Sequence, residues 1–214
     1  MVLTEDEACR YYEQNDASHS FEHVLRVVAL AERIARAEGA DLDIVHTAAL
    51  LHDIGRGEES RTGVCHAEVG AEQARRILQG QSCEFVEAVA GAIATHRFRK
   101  QLKPETPEAK VLYDADKLDA IGAIGVARAY AVAGRRGQLL WSPLEDPGTP
   151  GTLAASGEDD GDSESHTPVK EFTFKLCRLK DGMLTATGWS MAAERHAFMV
   201  DFFNRLEREV RGEL

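Results

Sequence analysis

The sequence predicts an all-α fold, and three observations carry that prediction. Apolar residues recur at three- and four-residue steps over most of the 214 residues, the spacing of one helix face. Alternating β-branched runs are nearly absent. Asp41 and a series of glycines, among them Gly55, Gly122, Gly125 and Gly134, mark where helices start, stop or are punctuated.

The clearest helix runs from Ser20 to Ala37, where Phe21, Val24, Leu25, Val28, Ala31, Ile34 and Ala35 form one stripe. Asp41 caps the next helix, which carries Ile44, Val45, Ala48 and Leu51 and ends near Gly55. Helices follow from His66 to Leu78, from Ser82 to His96 and from Pro107 to about Ala133. Periodicity resumes from Val169 to Leu179. It returns in MAAERHAFMVDFFNRLEREV, with Met191, Phe198, Met199, Phe202 and Leu206 on one side. No internal repeat interrupts this order.

Between the two helical regions, Gln138 to Thr167 is rich in proline, glycine, serine and acids, the composition of a mobile loop. It holds seven acidic residues and no Lys or Arg, so of the net charge of −11 only −4 belongs to the rest of the chain. We therefore expect one domain over residues 1–214, with a core over about 15–135, the acidic loop over about 138–167 and C-terminal helices over about 168–212. A hydrophobic content of 43% with only 7% aromatics points to aliphatic packing in a soluble protein. The acidic start, MVLTEDEACRYYEQND, lacks the basic and apolar regions of a signal peptide, and no apolar run is long enough to span a membrane. A cytoplasmic location is expected, with no membrane partner. Cys9, Cys65, Cys83 and Cys177 show no CxxC spacing and are expected to be reduced. The negative charge excludes an extended nucleic-acid surface. Small anionic substrates stay open, because a bound cation reverses the local potential.

The chemistry is concentrated in ionisable residues on otherwise apolar helices. LLHDIGR, Leu50 to Arg56, places His52 and Asp53 directly after an apolar run. As a lone dipeptide it reads first as a helix-ending salt bridge. SHSFEHVLRV adds His19 and His23 four residues apart, and EAKVLYDADKLDAIGAIG adds Asp114, Asp116 and Asp119. His66 opens one helix and His96 closes the next. Asp114 and Asp119 are expected to be solvated helix-face charges, and His46, His166 and His196 surface or satisfied core residues. His23, His52, Asp53 and Asp116 together resist that explanation, because ionisable groups on apolar faces must be paired or exposed. A shared metal ion is a partner for all four.

The ordered pattern of His23, then His52-Asp53 in LLHDIG, then Asp116 in DADKLDAIGAIG resembles the metal ligands of the HD-domain phosphohydrolase superfamily. The resemblance is strongest to a bacterial branch of small HD hydrolases. These share the HxxxHxxRV opening (His19, His23, Arg26, Val27), the histidine after Ala92 (His96), the block TPEAKVLYDADKLDAIGAIGVARAYAV and a late FxxKL helix like Phe172 to Leu176. The resemblance covers nearly the whole chain and implies an HD-domain helical bundle. Two positions depart from it: relatives often carry an acid where this chain has Ser20, and the histidine like His66 is not universal. Where the histidines like His66 and His96 are both present, in dinuclear HD enzymes, they resemble ligands of a second ion; Asp53, with two oxygens and its place beside His52, is then the expected bridge.

Two imidazoles and two carboxylates suit a divalent transition metal, Mn, Fe, Co, Ni or Zn, better than Ca. One ion is expected, with a second at His66 and His96. Asp53, Arg56 and Lys117 are the expected catalytic residues, and Arg56, Arg97 and Lys117 are candidate contacts to a substrate phosphate, Arg56 with the best-shaped donor. The expected function is metal-dependent hydrolysis of a small phosphorylated substrate, a nucleotide or another phosphate ester or anhydride. A di-iron oxygenase of the same fold and a non-catalytic metal-binding regulatory module are the alternatives.

Overall fold

The computed structural model describes residues 3–12, 21–97, 102–144 and 166–214. Among these residues helices dominate, and an isolated bridge between Gln79 and Gln81 is the one β-type pairing. The fold is all-α, as predicted. The chain falls into two compact units, Met1–Asp119 with Met183–Gly188, and Ala120–Gly182 with Trp189–Leu214.

The first unit contains α1 (Glu5–Cys9), α2 (Phe21–Glu38), α3 (Leu42–Leu51), α4 (Arg56–Thr62), α5 (His66–Ile77), α6 (Cys83–Thr95) and α7 (Pro107–Asp119). Helix α2 packs on α3 and α7, while α6 packs on α3, α5 and α7. The buried stripe of α2 is Val24, Val27, Val28, Ala31, Ile34 and Ala35, so Val27 takes the place expected for the half-buried Leu25. His23 shares that buried face, one turn before Val27. Asp41 caps α3 as predicted, its carboxylate accepting from the amides of Asp43 and Ile44, a contribution of about 1 kcal/mol. Leu50 and Leu51 are fully buried at the other end.

Two short helices escaped the sequence reading. Thr4 and Glu7 form a reciprocal capping box on α1. Helix α4, RGEESRT, follows the HD turn directly and buries no residue, so it carries no apolar period to read. The expected helix from Pro107 to about Ala133 is in fact two. It breaks at Ile121, which is extended, and at Gly122, whose φ of +78° only glycine adopts readily. A Cβ on Gly125 would collide with the Ala120 carbonyl oxygen, which keeps the new helix tight against the break.

The second unit contains α8 (Gly122–Arg136), α9 (Pro168–Phe174) and a 3₁₀ stretch (Leu176–Gly182), and most of α10 (Ala186–Val210) lies in it. The predicted Val169 to Leu179 helix is therefore α9 followed by a tighter turn, and α10 starts before the expected Met191. Phe203 is buried and stacks on Phe172 with centroids 4.5 Å apart, whereas Phe198 is 46% exposed. Phe203, not Phe198, completes the core face with Met191 and Met199.

Of the expected acidic loop, residues 145–165 lie outside the described residues, as do His19 and Ser20. Its flanks are anchored: the Trp141 indole donates to Glu207 at 3.0 Å, and the Ser142 and Thr167 hydroxyls are 2.7 Å apart. The four cysteines are unpaired. No helix among the described residues is long and apolar enough to cross a membrane.

Candidate metal centre

All the candidate ligands lie in the first unit. Helix α3 ends at Leu51 with His52 as its C-cap, and a helix end leaves carbonyls without intrahelical partners. The His52 Nδ1–H takes one of them, donating to the Ala49 oxygen at 2.8 Å. Helix α6 ends in the same way, with His96 Nδ1 donating to the Ile93 oxygen at 2.6 Å. His23 Nδ1 donates instead to Asp119 Oδ2 at 2.7 Å, and His66 Nδ1 to Glu59 Oε2 at 2.6 Å. The oxygen facing each Nδ1 is an acceptor, so each Nδ1 carries the donated proton and each Nε2 is turned inward, where a metal ion would take its lone pair.

Those Nε2 atoms converge. His52 and His23 face each other through Nε2 at 3.3 Å, and His66 and His96 through Nε2 at 3.2 Å. Asp53 lies between the pairs. Its Oδ2 is 3.5 Å from His52 Nε2 and 3.7 Å from His23 Nε2. Its Oδ1 is 3.2 Å from His66 Nε2 and 3.7 Å from His96 Nε2, and it accepts no hydrogen bond. All five residues are at most 2% exposed.

This is a cluster that could hold a metal ion. Burying Leu50 and Leu51 contributes at most about 3 kcal/mol each. An ion taken out of water without partners costs several kcal/mol, and an unmade buried hydrogen bond adds about 1–3 kcal/mol. Arg56 already pairs with Asp53 Oδ2, but Oδ1 is left beside His66 and His96 without a hydrogen bond. A divalent ion in each group would satisfy that oxygen and the inward Nε2 atoms. The ligand atoms of His23, His52 and Asp53 all lie within 4.8 Å of one another, and so do those of Asp53, His66 and His96. Asp116 stands at the edge of the first group, with Oδ1 3.5 Å from His23 Nε2 and Oδ2 paired with Lys117 at 2.7 Å.

The HD domain family matches residues 20–121, a stretch that includes every one of these residues. YpgQ of Bacillus subtilis is 36% identical over 200 residues, covering 92% of this chain and 86% of its own. The chain belongs to the HD-domain superfamily. The crystal structure of Bacillus subtilis YpgQ in complex with ADP superposes with a TM-score of 0.71 at 32% identity, over 98% of this chain and 99% of that one. A predicted HD superfamily hydrolase from an uncultured Thermotogales bacterium gives 0.65 at 31% identity, over 96% and 88%. Ribonuclease Y of Chloroflexus aurantiacus is 35% identical over 157 residues, and this chain spans only 28% of its length. The protein thus has an HD-superfamily hydrolase fold with a buried His/Asp cluster able to hold metal.

Protonation in this HD site follows from burial and neighbours. Burial pushes His52 down to about 4 and also lowers His66. It works against a proton on His23 too, but Asp116 and Asp119 outweigh it and lift that imidazole to about 9. Burial likewise opposes the charge on Asp53 and Asp116. The surrounding imidazoles, led by His52, hold Asp53 well below the usual carboxylate range, and Lys117 does so for Asp116.

The three candidate phosphate contacts are all tied to carboxylates at the rim. Arg56 Nε donates to Asp53 Oδ2, Arg97 to Glu59, and Lys117 to Asp116 and to the His96 oxygen at 3.3 Å. Their side chains remain 30%, 21% and 21% exposed, respectively.

Two expectations are corrected. Asp114 and Asp119 are not solvated charges but are 0% and 1% exposed. Asp114 accepts from the amides of Leu184 and Thr185 and from the Thr185 hydroxyl, which ties Met183–Gly188 to α7. Asp119 holds His23 Nδ1 and is itself gripped by both Nε and an Nη of Arg26, at 2.7 and 3.0 Å. The signal for this grouping was in the spacing. Arg26 follows His23 by three residues and Asp119 follows Asp116 by three, so each helix presents both members on one face. Tyr12 was also missed; its hydroxyl donates to the Leu50 oxygen at 2.8 Å and braces the end of α3.

Partners behind a metal ligand commonly affect affinity about 10–100-fold. Asp119→Ala is accordingly expected to weaken Mn²⁺ binding at the His23 group by about that factor, with Asp119→Asn losing less. Calorimetric titration measures this, and unchanged affinity in the alanine variant would remove Asp119 from the site.

Proposed function

We propose that this protein is a metal-dependent phosphohydrolase acting on a nucleotide or another small phosphate ester or anhydride. The observation that carries the reading is the placement of the Asp53 carboxylate between two histidine pairs whose Nδ1 atoms are all tied outward. Two imidazoles and a carboxylate per group suit Mn, Fe, Co, Ni or Zn. His23, His52 and Asp53, with Asp116 beside them, would hold one ion, and Asp53, His66 and His96 a second. Such ions, when bound, activate a water and neutralise charge on a phosphoryl group.

The chain's own residues supply the remainder. The outward Nδ1 hydrogen bonds fix the rings so that little reorganisation is needed on binding. Leu50 and Leu51 exclude water from one side of the cluster. Arg56, Lys117 and Arg97 are cations held at the rim by carboxylates, and they would turn to phosphate oxygens when substrate enters. Arg offers a planar fork for this, Lys a point charge. The ADP complex of YpgQ supports a nucleotide as the class of substrate. The net charge of −11 favours a small substrate over a long polyanion, despite the ribonuclease Y relatives.

The test is metal analysis of freshly purified protein, followed by a panel of nucleotides and generic phosphate esters with each candidate metal added back. Phosphate or pyrophosphate release with at least one metal is expected. No release from any substrate, together with a coupled-iron spectroscopic signature, would overturn the reading in favour of oxygen chemistry. A metal-to-protein ratio near two is expected, falling to near one when His66→Ala and His96→Ala are combined. A ratio near one in both proteins would leave only the His23 ion.

A further inference from the structure

The two halves of the centre are built alike but held differently. In each, one histidine is tied to a carbonyl of its own helix and the other to a carboxylate clamped by an arginine. In the first half that carboxylate is Asp119, which is 1% exposed and sits on the long helix α7. In the second it is Glu59, whose side chain is 25% exposed and sits on the seven-residue α4. Glu59 divides its two oxygens, Oε2 taking His66 Nδ1–H and Oε1 taking Arg97 Nη1. The Arg97 Nη1 atom is only 3.1 Å from His66 Nδ1, so two donors crowd one point and only a two-oxygen acceptor satisfies both.

Helix α4 reaches both halves, Arg56 at Asp53 Oδ2 and Glu59 at His66. It buries no residue, so apolar packing does not fix its position. Arg56 and Glu59, three residues apart and therefore on one face, reach Asp53 and His66 respectively. Its two inward charges are its anchors.

We infer that Glu59 is the positioning residue of the second half-site: its carboxylate, braced by Arg97, sets the His66 ring with Nε2 toward Asp53 and so determines how tightly that half holds a divalent ion. The inference rests on the two-ion reading above. Because Glu59 is more exposed than Asp119 and carried by a shorter helix, the second half is also the weaker of the two.

The experiment uses the full chain with Mn²⁺ alone, titrated by calorimetry and by electron paramagnetic resonance of the free ion. It is paired with histidine ¹⁵N spectra that report the His66 tautomer. Wild type should show two classes of site. Glu59→Ala should weaken the second class about 10–100-fold and leave the first within experimental error, with the Nδ1–H form of His66 losing its dominance. Glu59→Gln keeps an oxygen acceptor for His66 and should recover most of the tautomer and part of the affinity. A rescue of that kind is not expected of a residue that merely supports the fold. An unchanged second class in Glu59→Ala, or equal weakening of both classes, overturns the inference. So does an unchanged His66 tautomer. If wild type binds a single ion while Glu59→Ala still shifts the His66 tautomer, the two-ion reading falls and the positioning of His66 stands.

Discussion

Asp53→Ala is expected to strip metal from the protein and to abolish any hydrolysis, while the helices remain. Among the described residues, Asp53 is the side chain shared by both ligand groups: Oδ2 looks toward His23 and His52, and Oδ1 toward His66 and His96. Losing a partner behind a ligand already costs about 10–100-fold in affinity or activity, and losing a shared ligand should exceed the upper end of that range. The fold should survive because the α3 core, Val45, Ala48, Ala49, Leu50 and Leu51, does not depend on the carboxylate. Arg56 loses its partner but is 30% exposed and can turn to water. Elemental analysis and circular dichroism on the same sample check both halves of the expectation. Full activity with the metal gone would sink the hydrolase reading, and a lost helical signal would make Asp53 a folding residue first.

What the sequence revealed and what it hid divide along physical lines. His23 and His52 were legible because an ionisable ring on an apolar stripe has no other explanation at hand, and the structure brings both to Asp53. Asp116 was read on the same grounds but stands at the cluster's edge, half committed to Lys117. Asp119 looked like a solvated charge because it follows the polar run DADK, and a helical period does not say which acids near its boundary face inward. Its partner Arg26 lies 93 positions away in the chain, a distance no local pattern spans. Glu59 was hidden for a different reason: α4 has no buried residue, hence no period, and an element that cannot be read conceals whatever it carries. The break at Gly122 was half seen. Glycine was recognised as punctuation, but only the backbone shows that it turns to positive φ there and ends the helix bearing Asp116.

Gly55→Ala carries the other large expected effect, and it tests how the two halves of the centre are brought together. Gly55 has φ −77° and ψ −5°, a conformation that alanine adopts freely, so any penalty comes from space alone. There is none. A Cβ at this position would collide with the His66 carbonyl oxygen and stand 2.8 Å from the Gly70 nitrogen, and both obstacles are backbone of α5. The missing side chain is what lets the HD turn lie directly against the helix that begins with His66. Forcing a methyl into such a contact typically costs about 1–3 kcal/mol. At roughly 2–4 °C per kcal/mol for a chain of this size, that lowers the melting temperature by about 2–12 °C. The first turn of α5 must move away, and His66 Nε2, now 3.2 Å from Asp53 Oδ1, moves with it. Gly55→Ala should therefore lose the ion of the His66 group while the His23 group, whose residues lie on α2 and at the end of α3, keeps its own. Gly70→Ala is the control: its Cβ would meet nothing closer than 3.4 Å, and its effect on stability and on metal content should be small. Thermal denaturation with metal analysis on the two variants gives the answer. A Gly55→Ala protein that melts like wild type with its metal content unchanged would show that the backbone contact does not place His66.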